Sequence, residues 1–354
     1  MASPKSQLAS SVLPSTSTHP TSADIDNQPC DSLTKRVNPY VEEIRLQWNM
    51  NKVIQRLDTR EQCLQFAEDR QLIPREKQCS YHRRPMSLII QNGLVGTFRC
   101  RKSNCRTKSI SRATGTWFEN VHISLTLLFK LMYMFSRNYS YDLAQIEGAT
   151  DDRASVLSTK TIADWYSYCR EAIVIYELEH NEERTKIGGP NKVVQIDESK
   201  FGKRKYNRDR HIEGHWVLGM IEDGSDDLRL EICPDNEQSA DILVPLVKKH
   251  VQEGSIIHTN SWKAYECLPE HGYIHKKSNH SDHDKKFVAP NTTHTQWIES
   301  HWRGLKKVFH MNQFKGNFTE WLVEFAWRRK IKINHLDPFE ELLKVINYVY
   351  KLEK

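Results

Sequence analysis

The chain has 354 residues, 38% hydrophobic and 27% charged, which is long enough for two or three packed units and fits a soluble globular protein. Its formal net charge is +6, and the distribution of that charge says more than its size. The longest greasy run, Ile123 to Phe135, has thirteen residues and carries Lys130; it is too short for a bilayer, so no membrane role is expected.

Residues 1 to about 36 are rich in Ser, Thr and Pro and poor in large apolar side chains, so a disordered tail is expected there. A helical segment over 37–75 follows. Val41, Ile44, Trp48, Val53 and Ile54 fall roughly on one helical face, and a second helix is expected from Arg60 to Leu72, ahead of Pro74. Residues 76–120 hold short β-like runs at Ser87–Ile90 and Gly96–Cys100, with turn residues between them. From Cys79 to Phe118 there is no Asp or Glu, while Arg83, Arg84, Arg99, Arg101, Lys102, Arg106, Lys108 and Arg112 are all basic. Such a patch suits nucleic acid through counterion release, and suits a solvated basic face about equally.

Residues 121–187 read as helical. Ile123–Phe135 is a mostly buried helix. Tyr141–Glu147 and Thr159–Leu178 are two more, the latter with Ile162, Trp165, Tyr166, Cys169, Ile173 and Tyr176 at helical spacing. The pair could form a helix-turn-helix DNA reader, although short antiparallel helix pairs are common in any α domain. Gly188, Gly189 and Pro190 mark a boundary. Over 188–354 the pattern changes to strands at Lys192–Asp197, His215–Ile221 and Leu228–Cys233. A helix at Ser239–Val251, a strand at Ser255–His258, a helix at Trp262–Leu268, a strand at Tyr273–Lys276 and a helix at Trp297–Phe309 complete it. Three meandering strands, then alternating helix and strand, predict an α/β fold: a mixed five-stranded sheet with flanking helices, of ribonuclease-H type.

Two constellations carry chemistry. Cys79-x-x-His82 and Cys100-x4-Cys105 are two ligand pairs seventeen residues apart. Two tight turns each presenting two ligands suit tetrahedral Zn2+ in a zinc-ribbon-like unit that has few apolar residues of its own. With no secretory signal, the eight cysteines read as metal ligands or buried thiols before disulfides. Cleavage of a phosphodiester needs two divalent ions held by carboxylates. Asp197 ends the first strand of the sheet and Glu299 lies on the Trp297–Phe309 helix. A second Asp is expected at the end of the next central strand, and position 260 there is Asn.

These motifs resemble the ISXO-type insertion-sequence transposases of bacteria and their Merlin relatives in animals, a branch of the DDE transposases. The resemblance rests on VVQIDESKFGKRK (193–205), GHWVLGMIE (214–222), IIHTNSWKAY (256–265) and HTQWIESHWRGLKK (294–307), with SNHSDHDKKFVAP (278–290) linking them. FRCRKSNCRTKSISRATGTWFE (98–119) resembles the family's zinc-ribbon tail, and NFTEWLVEFAWRRK (317–330) its closing helix. The resemblance implies a triad of Asp197, position 260 and Glu299, with 62 and 38 residues between successive members. It implies Mg2+ or Mn2+ as catalytic cofactor, Asp197 and Glu299 as its carboxylate ligands, and DNA as partner: transposon ends and target. Asn260 departs from the family's Asp. An amide oxygen brings no negative charge, so metal affinity and strand transfer should both fall.

Candidate phosphate contacts are Arg99, Arg101, Lys102, Arg106, Lys108, Lys203, Arg204, Lys306 and Lys307. Glu198 is a poor substitute for the missing charge, because neighbouring strand residues face opposite ways. Asp282 and Asp284, in a polar loop, could compensate for Asn260 or be solvated. His258, His294 and His301 are given no catalytic role, since imidazole is not what Mg2+ prefers. Trp262, Trp297 and Trp302 read as core or helix packing. The rival reading is a DNA-binding protein without catalysis, derived from a transposase. A homo-oligomer is a candidate state, and the expected location is the nucleus for a eukaryotic host and the cytoplasm otherwise.

Overall fold

The computed structural model describes residues 41–149, 156–181, 184–202, 214–260, 262–278, 293–311 and 317–352. The expected N-terminal tail, Lys203, Arg204, Asp282 and Asp284 lie outside the described residues. The described part of the first of two units, which divide at Arg45, is most of the exposed helix α1 (Val41–Leu46), with an ion pair of 2.7 Å between Arg45 and Glu42.

In the second unit, α2 (Met50–Arg56) starts afresh at Asn49, whose side chain accepts the Lys52 N–H. The continuous helical face expected from Val41 to Ile54 is therefore broken: Trp48 and Val53 are buried, whereas Ile44 and Ile54 are exposed. α3 (Arg60–Asp69) opens with a capping box between Thr59 and Gln62. Next come β1 (Ser87–Ile89), β2 (Thr97–Arg99) and β3 (Ser109–Ser111), an antiparallel sheet in that order. Then follow α4 (Leu125–Ser136), α5 (Tyr141–Gly148) and α6 (Thr159–Asn181), the first two N-capped by Ser124 and Ser140.

The rest of the chain builds a mixed α/β layer. In order it contains β4 (Ile187–Gly188), β5 (Val193–Phe201), β6 (His215–Glu222), β7 (Leu228–Ile232), α7 (Ala240–His250), β8 (Val251–Gln252), β9 (Ile256–Asn260) and β10 (Ile274–Ser278). Three helices follow: α8 (Gln296–Met311), α9 (Phe318–Ile333) and α10 (Pro338–Val349). Five strands form one sheet in the order β10-β9-β5-β6-β7, while β4 and β8 pair separately. β5, β6 and β7 are antiparallel neighbours; β9 runs parallel to β5 and to β10. The helix expected at Trp262–Leu268 is instead two short 3-10 turns, Lys263–Tyr265 and Leu268–His271, the second with Pro269 in its first turn.

The two faces of the sheet are sorted by residue parity. Val194, Ile196, Leu218 and Met220 pack with Leu243, Val244 and Val247 of α7. On the other face Phe201, Val217 and Ile221 meet Ile298, Trp302 and Leu305 of α8, and Phe318 and Leu322 of α9. A third core joins Trp48, Phe66, Phe129 and Ile173 to Trp327 and Ile331 of α9 and to Phe339, Leu342 and Ile346 of α10. Packing thus crosses the sequence boundary at residue 188: α9 begins against the sheet and ends among the first helices. At that crossing Glu324 is buried and accepts from Arg170 Nε and Arg328 Nε, both at 2.7 Å. Arg328 also donates to the carbonyls of Phe135 and Ser136, which close α4.

Candidate active site and metal centre

β5 runs to Phe201 because β6 pairs with it from Val194 to Phe201, so Asp197 sits in mid-strand and not at a strand end. Its pairing with β9 stops earlier, at Gln195 opposite His258. Asp197 and Asn260 each lie two residues beyond that last pair, at the opening between the two strands. Across the other ladder Asp197 is opposite Gly219. A Cβ on Gly219 would stand 2.6 Å from the Trp302 ring, so only glycine lets α8 lie this close. Trp302 Nε1 then donates to Asp197 Oδ2 at 3.0 Å. Glu299 is three residues before Trp302, on the same helical face, and its Oε1 accepts from Thr295 Oγ1 at 2.8 Å. Asn260 turns Oδ1 to the Trp262 N–H at 3.1 Å, an Asx turn at the strand end. Asp197, Asn260 and Glu299 are all half-buried.

Because β5 continues, Glu198 points to the opposite face, against the α7 layer. Burial and the neighbouring Asp197 charge push its carboxyl up to about 8, and one of its oxygens is buried without a hydrogen-bond partner among the described residues. It cannot replace the charge missing at position 260. His301 is neutral by placement: burial lowers its pKa, its Nδ1 faces the Trp297 carbonyl at 2.6 Å, and Arg329 donates to Nε2 at 2.8 Å. His258 is likewise lowered by burial and accepts the His294 N–H at Nδ1, 3.4 Å away. Trp302 is core packing as expected, but its indole N–H also reaches Asp197. Trp297 is 40% exposed and is fixed by its indole N–H to the Ser225 carbonyl. Sequence reading missed Gln195, Asp223 and Thr295, whose roles appear only when strand and helix meet.

The ligand atoms of Cys79, His82, Cys100 and Cys105 lie within 4.8 Å of one another. Cys79 Sγ is 3.5 Å from Cys105 Sγ and 3.7 Å from His82 Nδ1, which is 3.5 Å from Cys100 Sγ. A tetrahedron with Zn–S bonds of about 2.3 Å has edges of about 3.8 Å, so these separations fit a zinc ion with His82 bonding through Nδ1. The His82 amide, donated to Cys79 Sγ, lowers that thiol to about 6. Around the cluster the core is small, with Met86 and Phe98 buried and Leu88 and Ile110 partly so.

Seven of the eight basic residues between Cys79 and Phe118 are exposed. Arg112 is the exception. It is buried, donates to the Pro74 carbonyl at 2.7 Å and pairs with Glu68 at 2.5 Å; it is a strut between α3 and the small sheet, not part of a surface patch. Lys306 and Lys307 are exposed on α8. α5 and α6 do pack together, and α6 is also covered by α4, α9 and α10; the connection at 150–155 lies outside the described residues. A cavity of about 590 Å³ lies elsewhere, between β7 and α9. Its cations are neutralised in place: Arg229 by Asp227, Arg329 by Asp226, and Arg184 by Glu177. Among the described residues no helix is long and apolar enough to cross a membrane.

Comparison with known proteins finds two matches. The ISXO2-like transposase domain matches residues 187–330, from β4 to near the end of α9. An uncharacterized transposase-like protein of Haemophilus influenzae is 31% identical over 97 residues, covering 26% of this chain and 73% of that relative.

Proposed function

Since the chain belongs to the ISXO2-like transposase family, we propose that it is a transposase-derived DNA-binding protein with a ribonuclease-H-like core, whose strand cleavage and transfer are impaired at position 260. The observation that carries this reading is the approach of α8 to β5, which sets Glu299 and Asp197 on facing elements with Asn260 at the adjoining strand end. The strand order, three antiparallel strands continued by two parallel ones, supports the ribonuclease-H-like assignment.

In this reading Asp197 and Glu299 hold divalent metal, Mg2+ or Mn2+, which supplies water activation and stabilises the leaving oxygen. Each carboxylate is pre-oriented by a donor on α8 or just ahead of it, Trp302 for Asp197 and Thr295 for Glu299, a supporting shell of the kind that tunes metal ligands. Asn260 offers a neutral oxygen already engaged by the Trp262 N–H. Among the described residues the proposed site therefore has two carboxylates where the family pattern has three, and hard cations are held mainly by such charge. Cys79, His82, Cys100 and Cys105 hold structural zinc, and the exposed Arg99, Arg101, Lys102, Arg106 and Lys108 beside it grip the DNA backbone.

The test is Mn2+- and Mg2+-dependent cleavage of duplex DNA taken from the flanks of the gene. The natural protein is compared with Asn260→Asp, with Glu299→Ala as the inactive control. We expect Asn260→Asp to cleave and the natural protein to fall below it by about 100-fold or more, the scale of losing one electrostatic contact to the reacting centre. Equal cleavage by both would show that Asn260 is tolerated. Binding without cleavage by either would favour the second reading, a non-catalytic DNA-binding protein, which Asn260 itself recommends.

A further inference from the structure

Gln195 lies on β5 two residues before Asp197 and on the same face, and its side chain is fully buried. Its Oε1 accepts the backbone N–H of Trp297 at 3.0 Å and of Ile298 at 3.3 Å, in the first turn of α8. Its Nε2 donates to Asp223 Oδ1 at 3.0 Å and faces His294 Nδ1 at 3.1 Å. A primary amide has two acceptor sites and two N–H groups, and all four are used here. Backbone N–H groups only donate, so the amide orientation is fixed by its partners. His294 must then accept at Nδ1 and carry its proton on Nε2.

The orphan N–H groups of a helix N-terminus are usually satisfied by a neighbouring residue of the same chain segment. Here two of them are satisfied from a strand more than a hundred residues away in sequence, 102 for Trp297 and 103 for Ile298. Apolar contacts of Ile298, Trp302 and Leu305 hold α8 on the sheet, but such contacts are non-directional and resist sliding or rotation weakly. Directional ties fix the helix as well, among them the Trp297–Ser225 and Arg329–His301 bonds at its outer side and two from β5. Gln195 holds its first turn, the Trp302–Asp197 bond holds the next, and Glu299 lies between them.

We propose that Gln195 is the positioning residue of the carboxylate site, setting the height and rotation of α8 over β5 and so the placement of Glu299 relative to Asp197. The proposal rests on the nuclease reading given above. Asp223 and His294 act through Gln195, keeping its amide turned so that oxygen faces the helix.

The experiment uses the full chain carrying Asn260→Asp as parent, with Mn2+ and duplex DNA from the flanks of the gene. Gln195→Leu should lower the cleavage rate at saturating DNA by about 100-fold, the loss expected from misplacing a reacting group by about 1 Å. The Mn2+ needed for half-maximal rate should rise at least about tenfold, as when a supporting ligand contact is lost, while KM for DNA is unchanged. Gln195→Glu keeps the acceptors for α8 but sets a carboxylate against Asp223; it should be impaired, and adding Asp223→Asn, which restores a donor, should recover the rate to within a few-fold. This polarity swap decides the matter even where Gln195→Leu fails to fold. A folded Gln195→Leu protein with the parent's rate and Mn2+ requirement overturns the proposal, as does a swap that recovers nothing. Mn2+ binding by the parent without DNA, read by electron paramagnetic resonance, separates the two levels. A parent that neither binds Mn2+ nor cleaves overturns the nuclease reading and the positioning role with it.

Discussion

The cysteine–histidine cluster and the proposed carboxylate site would each gather ligands around a cation, and they would do it at opposite scales. The cluster draws four ligand atoms from residues 79–105, on turns of one small sheet with few buried side chains of its own. The carboxylate site draws on β5, β9 and α8, whose residues meet only because a five-stranded sheet and two hydrophobic cores bring them together. Where ligands are the core, losing one loses the fold. Where ligands sit on a fold stabilised elsewhere, a charge can vanish and leave the architecture standing. In the proposed reading Asn260 is such a loss: an Asp there would accept the same Trp262 N–H, so the exchange would keep the local bond and remove only the charge.

The largest effect should come from breaking the cluster. Chelation, or Cys100→Ser, is expected to abolish amide-exchange protection across residues 79–111 while β5, β6 and β9 keep theirs. Survival of that protection after verified metal removal would contradict the structural role. Next is Glu324, buried between Arg170 and Arg328. Removing one member of a buried ion network leaves uncompensated charge, so Glu324→Ala should cost about 3–5 kcal/mol in urea unfolding. Burial pushes this carboxyl up, but Arg328 and Arg170 outweigh that and hold it below its ordinary value. A depressed folded-state pKa gives stability that is present above the unfolded pKa and lost as pH falls through the folded one. The difference between wild type and Glu324→Ala should accordingly shrink in acid below the usual carboxylate range.

Gly219→Ala sharpens the comparison from the carboxylate side. Its Cβ would meet the Trp302 ring at 2.6 Å, and overpacking of this kind costs about 1–3 kcal/mol. It should also shift Trp302 fluorescence and weaken Mn2+ binding, whereas Gly304→Ala, on the same helix as Trp302 with nothing near its Cβ, should leave Mn2+ binding unchanged. The smallest effects belong to the basic surface. Single Ala substitutions at Arg99, Arg101 or Arg106 should each reduce the slope of log affinity against log salt by about one. Arg112→Ala should instead lower stability, because its guanidinium is buried on Glu68 and two backbone carbonyls.

Helices with a strong apolar pattern were legible in advance: α3, α4, α5, α6 and α8 form close to where the spacing predicts them. Elements defined by partners were not. β3 has three residues and an alternation too short to recognise, and it exists because Arg99, Phe98 and Thr97 pair with it. The second half of β5, Glu198 to Lys200, is polar in sequence, and the β6 ladder extends it. The helix face expected from Val41 to Ile54 failed because the Asn49 cap restarts the helix and rotates the later residues.

The sequence by itself determined the cast of this protein: two short-range ligand pairs, one basic stretch, Asp197 and Glu299, and an amide where a third carboxylate was expected. These are matters of residue type and spacing, which a single chain displays. The tertiary structure decided which of them work together. It sent Arg112 inward, turned Glu198 away from Asp197, folded α9 and α10 back onto the first helices, and gave Gln195 two amide donors from α8. Such outcomes depend on which surfaces become buried against which, and burial is a property of contacts between distant segments that local patterning does not encode.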